Sequence, residues 1–136
     1  LMASATYADV DEGDAGPSIS HQLTRTDLVM YAGASGDFNP MHTDEVAAKE
    51  AGLPSVFGHG MFTAGLLATA ITDFVGIGHL VSYRVRFTKQ TWPGETLTTN
   101  VTVREKRAGN EVVLECSVVN QHGEAKITGE AVAVLP

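Results

Sequence analysis

Residues 60–75 limit how this chain folds more than any other stretch, because they predict a helix that is apolar around most of its circumference. Gly76 and Gly78 follow the stretch and favour a helix end. A helix with so little polar surface is a buried helix, so other elements have to wrap it. Polar residues also interrupt the run, which makes it too polar to cross a membrane. They are Thr63, Thr69, Thr72 and Asp73.

The segments after this helix have the alternation and composition of β-strands. Apolar and polar residues alternate over the first of them, which predicts a strand with one buried face. That face consists of Val81, Tyr83, Val85 and Phe87. Three further strands are expected at residues 97–103, 112–118 and 127–135. Turn-forming links separate the four strands and are short enough to join antiparallel neighbours. These links lie at residues 92–94, 107–110 and 120–123.

One buried helix followed by antiparallel strands predicts an α+β domain in which the sheet curls around the helix. Residues 1–18 are rich in acids and glycine, and they predict a loop-rich N-terminal segment followed by a short strand near residues 19–23. With 136 residues the chain is long enough to bury a substantial core. We therefore expect residues 1–136 to form a single domain.

The charge balance excludes one class of partner. The chain has a formal net charge of −7 and only nine Lys and Arg residues, whereas sequence-independent nucleic-acid binding needs clustered cations. We therefore expect no nucleic-acid partner, and the lack of a run of ~20 apolar residues predicts no membrane partner. Arg84 and Arg86 are still candidates for holding an anionic group of a small molecule.

The single cysteine, Cys116, excludes an intrachain disulfide and a multi-cysteine metal site. The first residues contain neither the basic nor the apolar segment of a secretory leader, so the sequence predicts a cytoplasmic protein. Along the chain, no HExxH-like spacing or local cluster of Asp, Glu and His ligands is visible. We therefore expect neither a metal nor a cofactor.

Residues 31–42 contain the side chains that are the strongest candidates for a chemical role. A helix is predicted just upstream, with Thr24 as its N-cap and Asp27 completing a capping box. Glycines weaken this helix, and Pro40 prevents its continuation. A second, short helix is expected at residues 44–51.

Asp37 lies just beyond that first helix, where the last carbonyl groups carry partial negative charge and disfavour an acid. Taken alone, Asp37 is an ordinary loop acid and His42 an ordinary packed or surface imidazole. Asn39 and Pro40 lie between them. Proline fixes the turn, and the Asn39 amide can hold either neighbour by hydrogen bonds. The spacing therefore favours reading Asp37 and His42 together, as a pair of candidates for chemistry.

This segment resembles the signature of the MaoC-like (R)-specific enoyl-CoA hydratases and the related 3-hydroxyacyl-thioester dehydratases. Four other stretches resemble landmarks of that family in the same order, so the resemblance extends from Gln22 to the C-terminus. They are residues 54–61, 85–87, 92–95 and 128–131. The resemblance implies a hot-dog fold, in which an antiparallel sheet wraps around a long central helix, and a protein that is usually dimeric.

The same resemblance implies a reaction. A trans-2-enoyl thioester of CoA or acyl carrier protein is hydrated to the (R)-3-hydroxyacyl thioester, or the reverse dehydration occurs. Asp37 and His42 match the family's catalytic residues, and a carboxylate and an imidazole that share one water can move the required protons. Gly60 matches a glycine whose backbone N–H stabilises the thioester oxygen at a helix start. The residues expected to bind substrate or shape the site are Asn39, Phe57 and His59.

Two other functions are compatible with the same fold. A hot-dog acyl-CoA thioesterase directs its water to the thioester carbonyl instead of C3. A non-catalytic subunit of a heteromeric dehydratase only shapes the acyl channel; such a subunit can lose Asp37 or His42, and this chain keeps both. We expect a homodimer or a heterodimer with a related hot-dog subunit, because a sheet edge leaves unpaired backbone groups. Purely structural roles for Gly60, as a helix-start glycine, and for His59 also stay open.

Overall fold

The computed structural model describes residues 5–136, so residues 1–4 of the predicted loop-rich segment lie outside the described part. The helices are α1 (Arg25–Ser35), α2 (Glu45–Glu50) and α3 (Gly60–Val75), with one 3-10 turn at Pro40–His42. The strands are β1 (Ser20–Gln22), β2 (Leu80–Phe87), β3 (Thr96–Arg107), β4 (Glu111–Val119) and β5 (Ala125–Val134). Each predicted helix and strand is therefore confirmed, although β3 extends past its predicted end.

The ends of α1 follow from their capping residues. The Thr24 hydroxyl accepts a hydrogen bond from the Asp27 N–H, and the Asp27 carboxylate accepts one from the Thr24 N–H. At the other end, Gly36 adopts the left-handed conformation with φ 75°, which costs little for glycine. The predicted capping box and helix stop are confirmed, and the chain leaves α1 directly into the segment that holds Asp37.

The strands form one antiparallel sheet in the order β1-β3-β4-β5-β2. The prediction that the link at 92–94 joins neighbouring strands is wrong, because β2 pairs with β5 and not with β3. The backbone of the link continues beside β5, since the Thr88 N–H donates to the Lys126 carbonyl over 3.0 Å. Gly129 permits this pairing, because a Cβ at that position would lie 2.4 Å from the Arg84 carbonyl oxygen. The other two links join sheet neighbours as predicted.

Helix α3 packs against β2, β3, β4 and β5, and the predicted sheet wrapped around a long helix is confirmed. Its covered face consists of Thr63, Ala64, Leu67, Ala70, Ile71 and Val75. The predicted burial of this helix is only partly correct for a single chain, because the opposite stripe is exposed. That stripe consists of Met61, Gly65, Thr69 and Asp73. Among residues 5–136, no helix is long and apolar enough to cross a membrane.

Strand β2 is an edge strand, and its predicted burial is only half correct. Tyr83 and Val85 pack against the core, but Val81 and Phe87 are exposed. A register shift between Leu80 and Ser82 disturbs the alternation at the start of the strand. Arg84 and Arg86 alternate with the two core-facing residues, so they lie on the face of the sheet away from α3.

Candidate active site

Asp37 and His42 lie close together at the C-terminal side of α1. The Asp37 Oδ2 and His42 Nε2 atoms are 3.9 Å apart. The Asp37 side chain is 54% exposed, whereas the His42 side chain is 9% exposed. The 3-10 turn that begins at Pro40 carries His42 inward, and this explains why a proline stands between the two residues. The pair therefore faces solvent through its acid and the protein interior through its imidazole.

The backbone carbonyl of Phe57 fixes the orientation of the His42 ring. His42 Nδ1 lies 2.6 Å from the Phe57 oxygen, and only a protonated nitrogen can donate to a carbonyl. In the neutral ring, Nε2 therefore carries the lone pair that faces Asp37. The Phe57 ring also meets the imidazole edge-on, with ring centroids 4.8 Å apart. This places Phe57, a predicted site-shaping residue, in direct contact with His42.

Asn39 holds the turn between the two residues of the pair. Its side-chain oxygen accepts a hydrogen bond from the Met41 N–H over 3.1 Å. Its own N–H donates to Asp37 Oδ1 over 3.2 Å. Asn39 thus orients the Asp37 carboxylate through its backbone while its side chain starts the 3-10 turn.

His59 connects the two halves of the site, a contact that the sequence did not predict in this form. Its Nε2 lies 3.0 Å from the backbone oxygen of Asp37. Its ring stacks on that of His42, with centroids 3.8 Å apart and an interplanar angle of 26°. His59 is buried and is the residue immediately before α3. It therefore contacts both members of the pair and the helix start.

Gly60 is the first residue of α3, where backbone N–H groups have no acceptor within the helix. The preceding residue, His59, makes no side-chain capping hydrogen bond. The N–H at Gly60 is therefore available to a negatively charged oxygen, which the helix dipole also favours. The structure brings this helix start next to the pair through the contacts of His59.

A cavity of about 330 Å³ adjoins Gly60 and contains polar groups that sequence reasoning missed. Thr63 and Thr91 line it, and within residues 5–136 neither hydroxyl has a hydrogen-bond partner. Thr63 lies one helical turn after Gly60, so the helical spacing was a usable signal for it. Thr91 lies in the link after β2, and nothing in the sequence marked it.

Lys126 lies at the edge of the same cavity and is almost fully buried. Its ammonium group is 3.0 Å from a carboxylate oxygen of Glu95 and 2.9 Å from one of Glu124. Burial raises the pKa of Glu95, but hydrogen bonds from Asn120, Lys126 and the Trp92 N–H outweigh it and hold that pKa below its usual range. The buried Lys126 ammonium is therefore paired with two carboxylates, and this pairing stabilises the cavity wall.

Cys116 is the one cysteine, and it is buried in the core. Burial first, and the neighbouring Glu115 second, raise the pKa of the Cys116 thiol to about 12. Because the thiolate is the reactive form, this group is no nucleophile near neutral pH.

The sequence shows no cluster of metal ligands along the chain, but the prediction that none exists is wrong for the folded chain. Asp37, His42 and His59 each offer a ligand atom, and these atoms lie within 4.8 Å of one another. The sequence hid this cluster, because the fold brings His59 to a pair that lies far from it along the chain. Each imidazole already uses one nitrogen to bond a backbone carbonyl, so only its other nitrogen is left for an ion.

Comparison with known proteins identifies the class. The chain matches the family described as MaoC like domain over residues 11–124, so it belongs to the MaoC-like domain family. It is 28% identical over 132 residues to the (R)-specific enoyl-CoA hydratase of Rhodospirillum rubrum, covering 96% of this chain and 91% of that protein. It is 40% identical over 80 residues to 3-hydroxyacyl-thioester dehydratase Y of Mycobacterium tuberculosis, covering 56% of this chain but 28% of that longer protein.

Solved structures give the same result. R-hydratase PhaJ1 from Pseudomonas aeruginosa superposes with a TM-score of 0.89 at 30% identity, covering 96% of this chain and 85% of that one. The ChsH1-ChsH2 complex from Mycobacterium tuberculosis gives a TM-score of 0.83 at 21% identity, covering 93% and 98%, and supports the fold alone. The predicted hot-dog fold and the predicted hydratase or dehydratase class are therefore confirmed at the level of the family.

Proposed function

We propose that this protein hydrates trans-2-enoyl thioesters to (R)-3-hydroxyacyl thioesters, or catalyses the reverse dehydration. The single observation that carries the proposal is the 3.9 Å separation between Asp37 Oδ2 and His42 Nε2. One water can hydrogen-bond to both atoms at this spacing. The names of the relatives, (R)-specific enoyl-CoA hydratase and R-hydratase, describe the same chemistry on similar folds.

In this mechanism the water held by Asp37 and His42 attacks C3 of the enoyl group. One member of the pair takes a proton from the water, and a proton is delivered to C2. The two groups act on one water, so the roles of base and acid belong to the pair. His42 enters the reaction with its Nε2 lone pair facing the water, because its Nδ1–H donates a hydrogen bond to the Phe57 backbone carbonyl. Dehydration runs through the same steps in reverse.

Negative charge develops on the thioester oxygen as the C–O bond forms at C3. The Gly60 N–H at the start of α3 is the group that we assign to this oxygen. Its helix-start position adds the favourable end of the helix dipole without any side chain in the way. Asn39 and Phe57 then orient the pair rather than react.

The thioester carrier in this proposal is CoA or acyl carrier protein. Two properties stay predictions from the sequence: that residues 1–136 form a single domain, and that the protein is cytoplasmic. We also propose a dimer, either of two copies or with a related hot-dog subunit, in which the exposed edge of β2 pairs across a two-fold axis. The ChsH1-ChsH2 complex shows that similar folds also occur in complexes of two different chains.

Hydration of crotonyl-CoA tests the proposal against its two alternatives. We expect loss of the enoyl absorbance without release of free thiol. Release of free thiol would identify a thioesterase instead. If neither occurs with the chain alone, but hydration begins after a related subunit is added and persists when this chain carries Asp37→Asn, the chain is the non-catalytic partner. Chiral analysis of the hydrated product should give mainly the (R) isomer, and a mainly (S) product would contradict the stereochemical part.

A further inference from the structure

We propose that His59 is a positioning residue, which holds the Asp37 carboxylate and the His42 imidazole in one geometry; this inference rests on the function proposed above. His59 bonds the backbone of Asp37 and stacks on the ring of His42. It also precedes Gly60 in the chain, so one residue links the three groups assigned to the reaction.

The hydrogen bond to Asp37 matters because this acid is otherwise held only by its own loop. The Asp37 N–H donates to Ser35 Oγ over 3.1 Å, and Asp37 Oδ1 accepts from the Asn39 N–H over 3.2 Å. Within residues 5–136, the hydrogen bond of 3.0 Å from His59 Nε2 is the only one that Asp37 receives from outside residues 35–39. His59 therefore fixes the distance between the acid and the rest of the site.

The stacking contact fixes the second member of the pair. The rings of His42 and His59 lie 3.8 Å apart at 26°, close to parallel. Tyr31 packs edge-on against His59 on its own side, with centroids 4.9 Å apart. Phe57 and His59 thus confine the His42 ring from two directions, so that rotation away from Asp37 would displace one of them.

One atom of His59 argues against simple packing as its role. Because Nε2–H donates to the Asp37 carbonyl, Nδ1 carries the lone pair in the neutral ring. This nitrogen is buried and has no hydrogen-bond partner within residues 5–136. A buried nitrogen without a partner in the protein is unfavourable, and a phenyl ring would fill the same space without it. An imidazole here is explained by its second nitrogen, which donates to Asp37.

Two substitutions separate the two contacts. His59→Phe keeps a flat ring for stacking and removes the donor, whereas His59→Gln keeps a donor of similar reach and removes the ring. A shift of the acid by ~1 Å is enough to reduce turnover by ~10²-fold. We therefore expect His59→Phe to lower kcat on crotonyl-CoA by ~10²-fold with KM nearly unchanged, and His59→Gln to stay within ~10-fold of wild type. The melting temperature should follow the opposite order, with His59→Phe the more stable variant.

The outcomes distinguish the inference from a failure of the proposed function. A structural role for His59 predicts that activity follows stability, so a His59→Phe variant more active than His59→Gln would overturn the inference. His79→Gln is the matched control, because His79 also hydrogen-bonds to a backbone carbonyl, that of Val75, but at the far end of α3. It should leave kcat unchanged.

Crystal structures of both variants give a readout that needs no activity. The inference predicts that the distance from Asp37 Oδ2 to His42 Nε2 stays near 3.9 Å in His59→Gln and lengthens in His59→Phe. An unchanged distance in His59→Phe would overturn it even if the wild-type protein hydrates no enoyl thioester.

Discussion

Gly60 lies directly against Phe87, because a Cβ added to Gly60 would come within 2.8 Å of the phenyl ring. Phe87 is the last residue of β2 and is 53% exposed. The first turn of α3 is thus packed against the sheet edge at the same residue whose N–H we assign to the thioester oxygen. Glycine is required here for close packing as well as for access to the backbone.

This contact predicts the effect of Gly60→Ala. The methyl group must displace the Phe87 ring or tilt the helix start; a tilt moves the N–H donor, and a displaced ring changes the cavity that Gly60 and Phe87 both line. Loss of a whole oxyanion donor costs ~10²–10³-fold in kcat, so a displaced one should cost at least ~10-fold. Because Phe87 is half exposed and its ring has room to move, overpacking should lower the free energy of unfolding by ~1 kcal/mol at most. Steady-state kinetics and urea denaturation measure the two effects.

Phe87→Ala, alone and combined with Gly60→Ala, is the control for the Gly60→Ala variant. It removes the ring that the methyl group meets, so the Gly60→Ala/Phe87→Ala protein should recover the activity lost in Gly60→Ala and approach that of Phe87→Ala alone. A Gly60→Ala protein with wild-type kcat would show that the close contact with Phe87 does not hold the N–H in place, since alanine keeps a backbone N–H.

Glu95 predicts how stability depends on pH. Its folded-state pKa lies below the ordinary value of 4.5, because its hydrogen bonds outweigh the effect of burial. Its contribution is therefore present above that ordinary value and is lost as pH falls through the folded-state pKa. We expect the free energy of unfolding of Glu95→Gln to be lower than that of wild type at neutral pH and to decline less in acid. Urea denaturation from about pH 7 to about pH 3 measures this.

A matched control for Glu95→Gln is Glu50→Gln. Glu50 is exposed on α2, and within residues 5–136 it makes no ion pair. Its substitution should leave the acid-induced decline as in wild type. If Glu95→Gln declines as steeply as wild type, its contacts with Lys126 and Asn120 do not stabilise the ionised carboxylate.

The exposed edge of β2 predicts the effect of Val81→Asp on assembly. Val81 is 64% exposed on the strand that we place at the dimer axis. An aspartate from each chain would meet across that axis, so we expect size-exclusion chromatography with light scattering to shift from about twice 14.4 kDa to the monomer mass. Ile77→Asp replaces a residue that is 91% exposed in the loop before β2 and should leave the dimer intact. A Val81→Asp protein that stays dimeric would contradict pairing through this edge.

Short sequence patterns predicted the helices and strands of this fold well. They could not predict which strands pair with each other across the sheet. The capping box at Thr24 and the positions of the strands rest on short-range features and are confirmed, whereas the alternation of β2 is confirmed only at Tyr83 and Val85. The partner of β2 depends on the whole sheet. A turn-like sequence at residues 92–94 fits a hairpin as well as the crossing that occurs.

The site shows the same division. The proximity of Asp37 and His42 follows from the Asn39-Pro40 turn, which the sequence displays. The stacking of His59 on His42 joins residues from two separate segments. No local sequence pattern around either histidine indicates that their rings stack. The unpartnered hydroxyl of Thr91 was hidden for the same reason, since only the folded chain brings it to the cavity wall.

The most direct measurement of the central claim is the turnover of crotonyl-CoA by Asp37→Asn. The amide keeps the size and most hydrogen bonds of the acid but removes its charge, and general acid–base groups contribute ~10²–10⁴-fold. We expect kcat to fall by that factor while the melting temperature holds or rises, because the acid lies just beyond the C-terminus of α1. Asp37→Asn/His42→Ala should be little worse than either single variant. Near-normal turnover by Asp37→Asn, or a loss that only follows unfolding, would make Asp37 an ordinary loop acid and contradict the mechanism.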